Sequence, residues 1–140
     1  MSMSSENLAD LETAASPLAI LIVQNNAELG DIWAQHLRRQ GMQVTAVQGQ
    51  QAAIAHLEIN RVDTIILDVV LEEGAALAIS AYAEFRHPEA RVIFVTNTSF
   101  FSDGSIFAHA ANARAFLPSS TPPEDIAAMV EHYAAERQRG

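Results

Sequence analysis

The run TIILDVVLEEG, Thr64 to Gly74, holds one aspartate, Asp68, at the end of an otherwise greasy stretch, with Glu72 and Glu73 close behind. An unpaired buried charge is costly, so a carboxylate at the tip of a core strand marks chemistry or a misread strand. Candidate helpers are few. Gln24, Asn25 and Asn26 follow the apolar run LAILIV, while Thr96 ends RVIFVT and Asn97 follows it. Their amide and hydroxyl groups can touch a cation or hydrogen-bond an anion, but none of them brings charge. Glu72 and Glu73 read first as solvated loop acids and only second as replacement ligands. The five histidines, His36, His56, His87, His109 and His132, show none of the close spacing of a helical metal pair. No G-x-S-x-G elbow, P-loop or G-x-G-x-x-G is present.

The bulk composition narrows the classes further. The chain has 140 residues, 49% of them hydrophobic, enough for one domain with a proper core and too few for two. Eight basic residues stand against 17 acidic ones, a formal charge of -9. Such a chain repels phosphate backbones and anionic bilayers, so neither nucleic acid nor membrane is an expected partner. Every basic residue is arginine and lysine is absent. Cysteine is absent too, which removes disulfides and thiolate metal sites. With no secretory pattern and no membrane-length apolar run, the expected location is cytoplasmic.

The elements that would carry these residues alternate. Residues 1–17 are polar and acidic, read first as a flexible tail and second as an amphipathic segment, with Leu8, Leu11 and Ala15 at helical spacing. LAILIV (Leu18 to Val23) has the continuous apolar character of a strand covered on both faces. NAELGDIWAQHLRRQG then reads as a helix capped by Asn26, lined by Leu29, Ile32, Trp33 and Leu37, and stopped at Gly41. MQVTAV, DTIILDV, RVIFVT and ARAFLP supply four more strands. The helices between them are QQAAIAHLEIN, GAALAISAYAEFRH and SDGSIFAHAAN, the last capped by Ser102 and stopped at Asn112. A final helix opens at TPPED, where Thr121 and Glu124 have the spacing of a capping box. Its apolar stripe is Ile126, Met129, Val130, Tyr133 and Ala134.

Five strands alternating with five helices predict an α/β, flavodoxin-like, doubly wound parallel sheet of order 2-1-3-4-5 over residues 18–137, with no separate output domain. Chemistry in such sheets lies beyond the carboxyl ends of the strands, at the switch between the first and third. The loops at Gln24, Asp68 and Thr96 meet there.

In that context ILIVQNN, IILDVVLEEGAAL, VIFVTN and NARAFLPSSTPPEDI make the chain, from Leu18 to Glu136, resemble the receiver domains of two-component response regulators. The resemblance implies that Asp68 is the phosphoacceptor, served by a histidine kinase or phosphotransferase. It implies that Thr96 is the hydroxyl and Phe116 the aromatic of the switch. It also implies a Mg²⁺ site built from two acids after the first strand, the acceptor, and the carbonyl of Val70. A lysine after the fifth strand would complete the set.

The departures are as informative as the matches. Gln24 and Asn25 stand where the acids belong, and Ser119 where the lysine belongs. Glu72 and Ala76 replace the usual proline and glycine of the loop after the third strand. Neutral amides lack the Coulomb attraction that retains a hard divalent ion, so Mg²⁺ at Asp68, Asn25 and Val70 is expected to bind weakly. A transferred phosphoryl group would add about -1.5 to -2 charges with no counter-ion well held. Phosphoryl transfer draws mostly on positioning and charge stabilisation, and much of the latter is missing. An amide of Gln24 or Asn25 donating to Asp68 would suit the nearly neutral crevice that remains.

The expected function is therefore a stand-alone pseudo-receiver, not an enzyme, that signals by protein contact and needs no cofactor. Expected partners are a histidine kinase, another regulator or itself. The family's usual contact surface maps to Ser105 to Ala110, Ala113 to Leu117 and Asp125 to Arg137. The first alternative is a working phosphoacceptor modified on Asp68. The second is a small α/β enzyme or flavin binder, disfavoured because QNNAELG has its only glycine late, at Gly30.

Overall fold

The computed structural model describes residues 18–68, 73–96, 113–118 and 120–139. Five strands form one sheet in the order β2-β1-β3-β4-β5: β1 Ala19–Val23, β2 Gln43–Val47, β3 Thr64–Asp68, β4 Arg91–Thr96 and β5 Ala113–Pro118. Every pairing is parallel, as the flavodoxin-like order requires. The described helices are α1 Ala27–Arg39, α2 Gln50–Ile59, α3 Glu73–Arg86 and α4 Pro123–Arg139. The helix expected from Ser102 to Asn112 and the tail over 1–17 lie outside the described residues.

Alternation along the strands sends side chains to two cores, one on each face. Leu21, Val23, Ile65, Leu67, Val92 and Phe94 pack with Ala53 and Leu57 of α2 and Ala76, Ile79 and Ala83 of α3. Ile20, Ile22, Ile66, Ile93 and Val95 pack with Trp33, Ala34 and Leu37 of α1 and Ile126, Ala127 and Val130 of α4. β1 and β3 are buried on both faces, which is why they read as unbroken apolar runs.

Helix ends follow local chemistry. Asn26 Oδ1 accepts the Leu29 N–H at 3.1 Å, and Gly41 takes φ +90° after the last turn of α1, a left-handed value that favours glycine. Two expectations need correction. Ile32 is 53% exposed, because the inward face of α1 is centred on Trp33, Ala34 and Leu37. Thr121 does not open a capping box: its hydroxyl donates to the Pro118 carbonyl at 2.6 Å, and α4 starts two residues later at Pro123.

At the amino edge of the sheet, Asp63 clips three strands together. Its carboxylate accepts the Ala19 N–H (2.8 Å) and an Arg61 N–H (2.6 Å), while its backbone N–H donates to Ala19 (2.7 Å) and its carbonyl accepts from Arg91 (3.1 Å). Arg61 is largely exposed, so the ion pair itself adds little. The partly buried Ala19 contact matters more. Asp63→Ala is expected to lower stability by about 1–3 kcal/mol through the orphaned N–H, read as a lower urea midpoint with an unchanged slope.

The carboxyl ends of α2 and α3 are tied in the same way. Arg86 Nη2 donates to the Glu58 carbonyl (2.6 Å), and His87 Nε2 lies 2.9 Å from the Leu57 carbonyl, so that nitrogen carries the proton. Burial, and then the charge of His87, hold the His56 imidazole below its ordinary 6.5. In the window below 6.5 the unfolded chain binds the proton more readily than the folded one, so stability falls as pH drops through it. Urea melts at about pH 7.5 and about pH 5.5 should show that loss, and His56→Gln should reduce it.

Candidate functional site at the carboxyl edge

Strand register fixes which residues share the crevice. Val23 pairs with Leu67 and Asp68 with Val95, so Gln24 and Asp68 sit side by side at the edge. Thr96 ends β4 one residue beyond, in register with Pro118 of β5. Phe116 is in register with Phe94. The topology thus gathers Gln24, Asp68 and Thr96, as the sequence reading expects. Val70 and Ser119 lie outside the described residues.

Asp68 is only 4% exposed and is not free of partners. Gln24 is buried as deeply, at 3%. Its Oε1 accepts the Asn26 N–H at 3.0 Å, which fixes the amide: turning it over would set N–H against N–H. Nε2 is then buried with no hydrogen-bond partner. The expected Gln24 donation to Asp68 is therefore not made. Leaving a buried donor unsatisfied costs about 1–3 kcal/mol.

Local packing explains how a long amide fits there. Gly30, one turn into α1, lies under Gln24, and a Cβ at that position would meet the Gln24 Cβ at 3.4 Å. The late glycine that argued against a phosphate-cradling loop is what gives Gln24 its seat. Gln48 Nε2 also donates to the Asn25 carbonyl at 3.1 Å, tying the loop after β2 to the loop after β1.

The donor set of the first loop follows. Gln24 Oε1 and Asn26 Oδ1 are both occupied by backbone N–H groups at the start of α1. Asn25 is exposed. Among the described residues no group of three or more His, Cys, Asp or Glu is placed to hold a metal ion. The sequence alone did not reveal the double engagement of Gln24 and Asn26. Nor did it pair His56 with His87, which the fold brings into electrostatic contact from the last turn of α2 and the residue after α3. Among the described residues no helix is long and apolar enough to cross a membrane.

A 2-1-3-4-5 parallel sheet with an aspartate ending its third strand and a threonine ending its fourth has the arrangement that the receiver resemblance implies. The sequence profile of the response regulator receiver domain matches residues 20–131, and the chain belongs to that family. It is a receiver domain of two-component signalling. No curated protein matches in sequence.

Solved structures agree on the fold. A CheY-like response regulator receiver domain protein from Methanospirillum hungatei JF-1 superposes with a TM-score of 0.79 at 20% identity, covering 88% of this chain and 98% of that one. A response regulator from Burkholderia pseudomallei, solved with a phosphorylated aspartic acid, calcium ion and citrate, gives 0.72 at 21% identity, covering 87% and 71%. The response regulator TrrA from Thermotoga maritima, in complex with Mg(2+)-BeF, gives 0.70 at 16% identity, covering 82% and 97%.

Proposed function

We propose that this receiver domain signals through protein contact, with metal binding and phosphorylation at Asp68 impaired. One observation carries the reading: the oxygens of Gln24 and Asn26 serve the start of α1, and the Gln24 amide buries a donor next to Asp68 in register. A divalent cation wants charged or well-aimed oxygens, and an N–H group repels it. The residues therefore do not fit Mg²⁺, and no step is routed through it. Asp68 is left as a buried carboxylate with a local structural role rather than an acceptor. Thr96 and Phe116 keep the family's positions without a phosphoryl group to read, and Ser119 brings no counter-charge.

The domain, residues 18–137, acts as a binding module and not as an enzyme. A histidine kinase, another regulator or a second copy is the partner. On the family's usual surface, Leu117, Thr121, Asp125, Ala128, Met129 and His132 line a groove between β5 and α4. Small phosphodonors test the chemistry directly. After incubation with acetyl phosphate and Mg²⁺, the intact mass should be unchanged. A stoichiometric, hydroxylamine-sensitive adduct on Asp68 would establish the working phosphoacceptor instead.

A further inference from the structure

At the amino edge of the sheet, opposite the crevice, two large apolar side chains stand in water: Ile59 is 82% exposed and Phe85 79%. Each is the sequence neighbour of a residue in one bond between their helices, Arg86 to the Glu58 carbonyl. That bond sets the last turns of α2 and α3 side by side, and the Tyr82 ring lies 6.3 Å from that of Phe85. Tyr82 is half-buried against the core, so apolar surface continues inward from Phe85.

The chain preceding β1 enters the fold at this same edge. Ala19 exchanges hydrogen bonds with Asp63, four residues after Ile59. Four steps of about 3.8 Å keep Ile59 within about 15 Å of Asp63. Residues 1–17 carry Leu8, Leu11 and Ala15 at i, i+3 and i+7, a single face if wound as a helix, with Glu6 and Asp10 opposite. With the segment helical through Ala15, the four residues from Ala15 to Ala19 span up to about 14 Å when extended, of the order of the distance to be crossed.

We propose that residues 1–17 dock this Leu8–Leu11–Ala15 face on Ile59 and Phe85 of their own chain. This goes beyond the reading of the crevice and does not depend on phosphate chemistry. Two exposed side chains are too small a seat for a free partner, which needs about 800 Å² on each side. A tethered segment needs less, because the link holds it at an effective concentration of order millimolar. Arg86, next to Phe85 in sequence and bonded to the Glu58 carbonyl, offers a positive charge to an acidic segment. Glu58 and Glu84 stand on the same turns, so the apolar pair carries the contact and charge only trims it.

Amide hydrogen exchange on the full chain tests the docking. Residues 8–15 should exchange at least about tenfold more slowly than a free peptide of that sequence. Ile59→Ser with Phe85→Ser should abolish the protection while amides of β1 and β3 stay as slow as before. Leu8→Ser with Leu11→Ser should do the same without touching the folded domain, which decides the matter if the patch variant unfolds. Free-peptide rates in the unsubstituted chain would overturn the proposal. So would protection that survives both pairs of substitutions, or protection that grows with protein concentration and so marks a second copy on the patch.

Discussion

Gln24→Asp combined with Asn25→Asp should raise Mg²⁺ affinity by about a hundredfold, the change that returns opposite charge to the crevice. Two unit charges about 4 Å apart near a protein surface interact by about 4 kcal/mol, so each restored carboxylate attracts a divalent ion strongly. A hundredfold gain needs about 2.7 kcal/mol, which leaves room for desolvation and for the lost Oε1 bond to Asn26. The substitution also removes the orphaned donor at Nε2. Without metal, however, three carboxylates would crowd one edge, two of them at the buried positions of Gln24 and Asp68. The variant is therefore expected to melt lower than the parent in chelator and to recover with Mg²⁺, since a ligand that binds only the folded state stabilises it. Thermal melts with chelator and with metal read both effects. Equal melting in the two conditions would show that charge is not what the crevice lacks.

Trp33→Ala should be the most damaging single change in the core. Trp33 is 1% exposed and packs with Leu37, Ile66, Ile126 and Val130, where α1 and α4 meet the same face of the sheet. Truncating a fully buried tryptophan costs about 3–5 kcal/mol, part lost transfer energy and part cavity. For a domain of this size that corresponds to a fall in Tm of roughly 10–20 °C. The neighbouring Ile32→Ala serves as the control. Its side chain is 53% exposed, so its truncation should cost less than about 1 kcal/mol. Chemical melts of the two variants should differ accordingly, although both positions fit the same apolar stripe in the sequence.

That pair shows what the sequence revealed and what it hid. Strands β1 and β3 were legible because burial on both faces leaves no polar residue to interrupt them. Asn26 and Gly41 were legible because a cap and a left-handed stop need particular side chains. Crossover handedness left few strand orders, and the usual one for a chain of this size is the order observed, with Asp68 at the carboxyl edge. Ile32 was misplaced because helical spacing gives a face but not its centre, which Trp33 and Leu37 decide by packing. Thr121 was misread because a hydroxyl three residues before an acid can serve a preceding carbonyl equally well, here that of Pro118.

The site itself divides along the same line. The loss of acids and lysine was plain in the residue types. The use made of Gln24 was not, since it depends on Gly30 lying beneath it and on Asn26 offering its N–H. The spacing of Gln24 and Gly30 was available as a signal, because a glycine inside a helical pattern often marks close approach by a neighbour. The proximity of His56 and His87, brought together by the ends of α2 and α3, carried no signal of that kind.

Calorimetric titration of Mg²⁺ into the unsubstituted protein is the most direct test of the claim that neutral amides have replaced the metal's ligands. No saturable heat is predicted up to metal concentrations on the order of millimolar, where the expected binding free energy is no better than about -4 kcal/mol. A one-site isotherm with a Kd in the micromolar range, lost in Asp68→Ala, would contradict it.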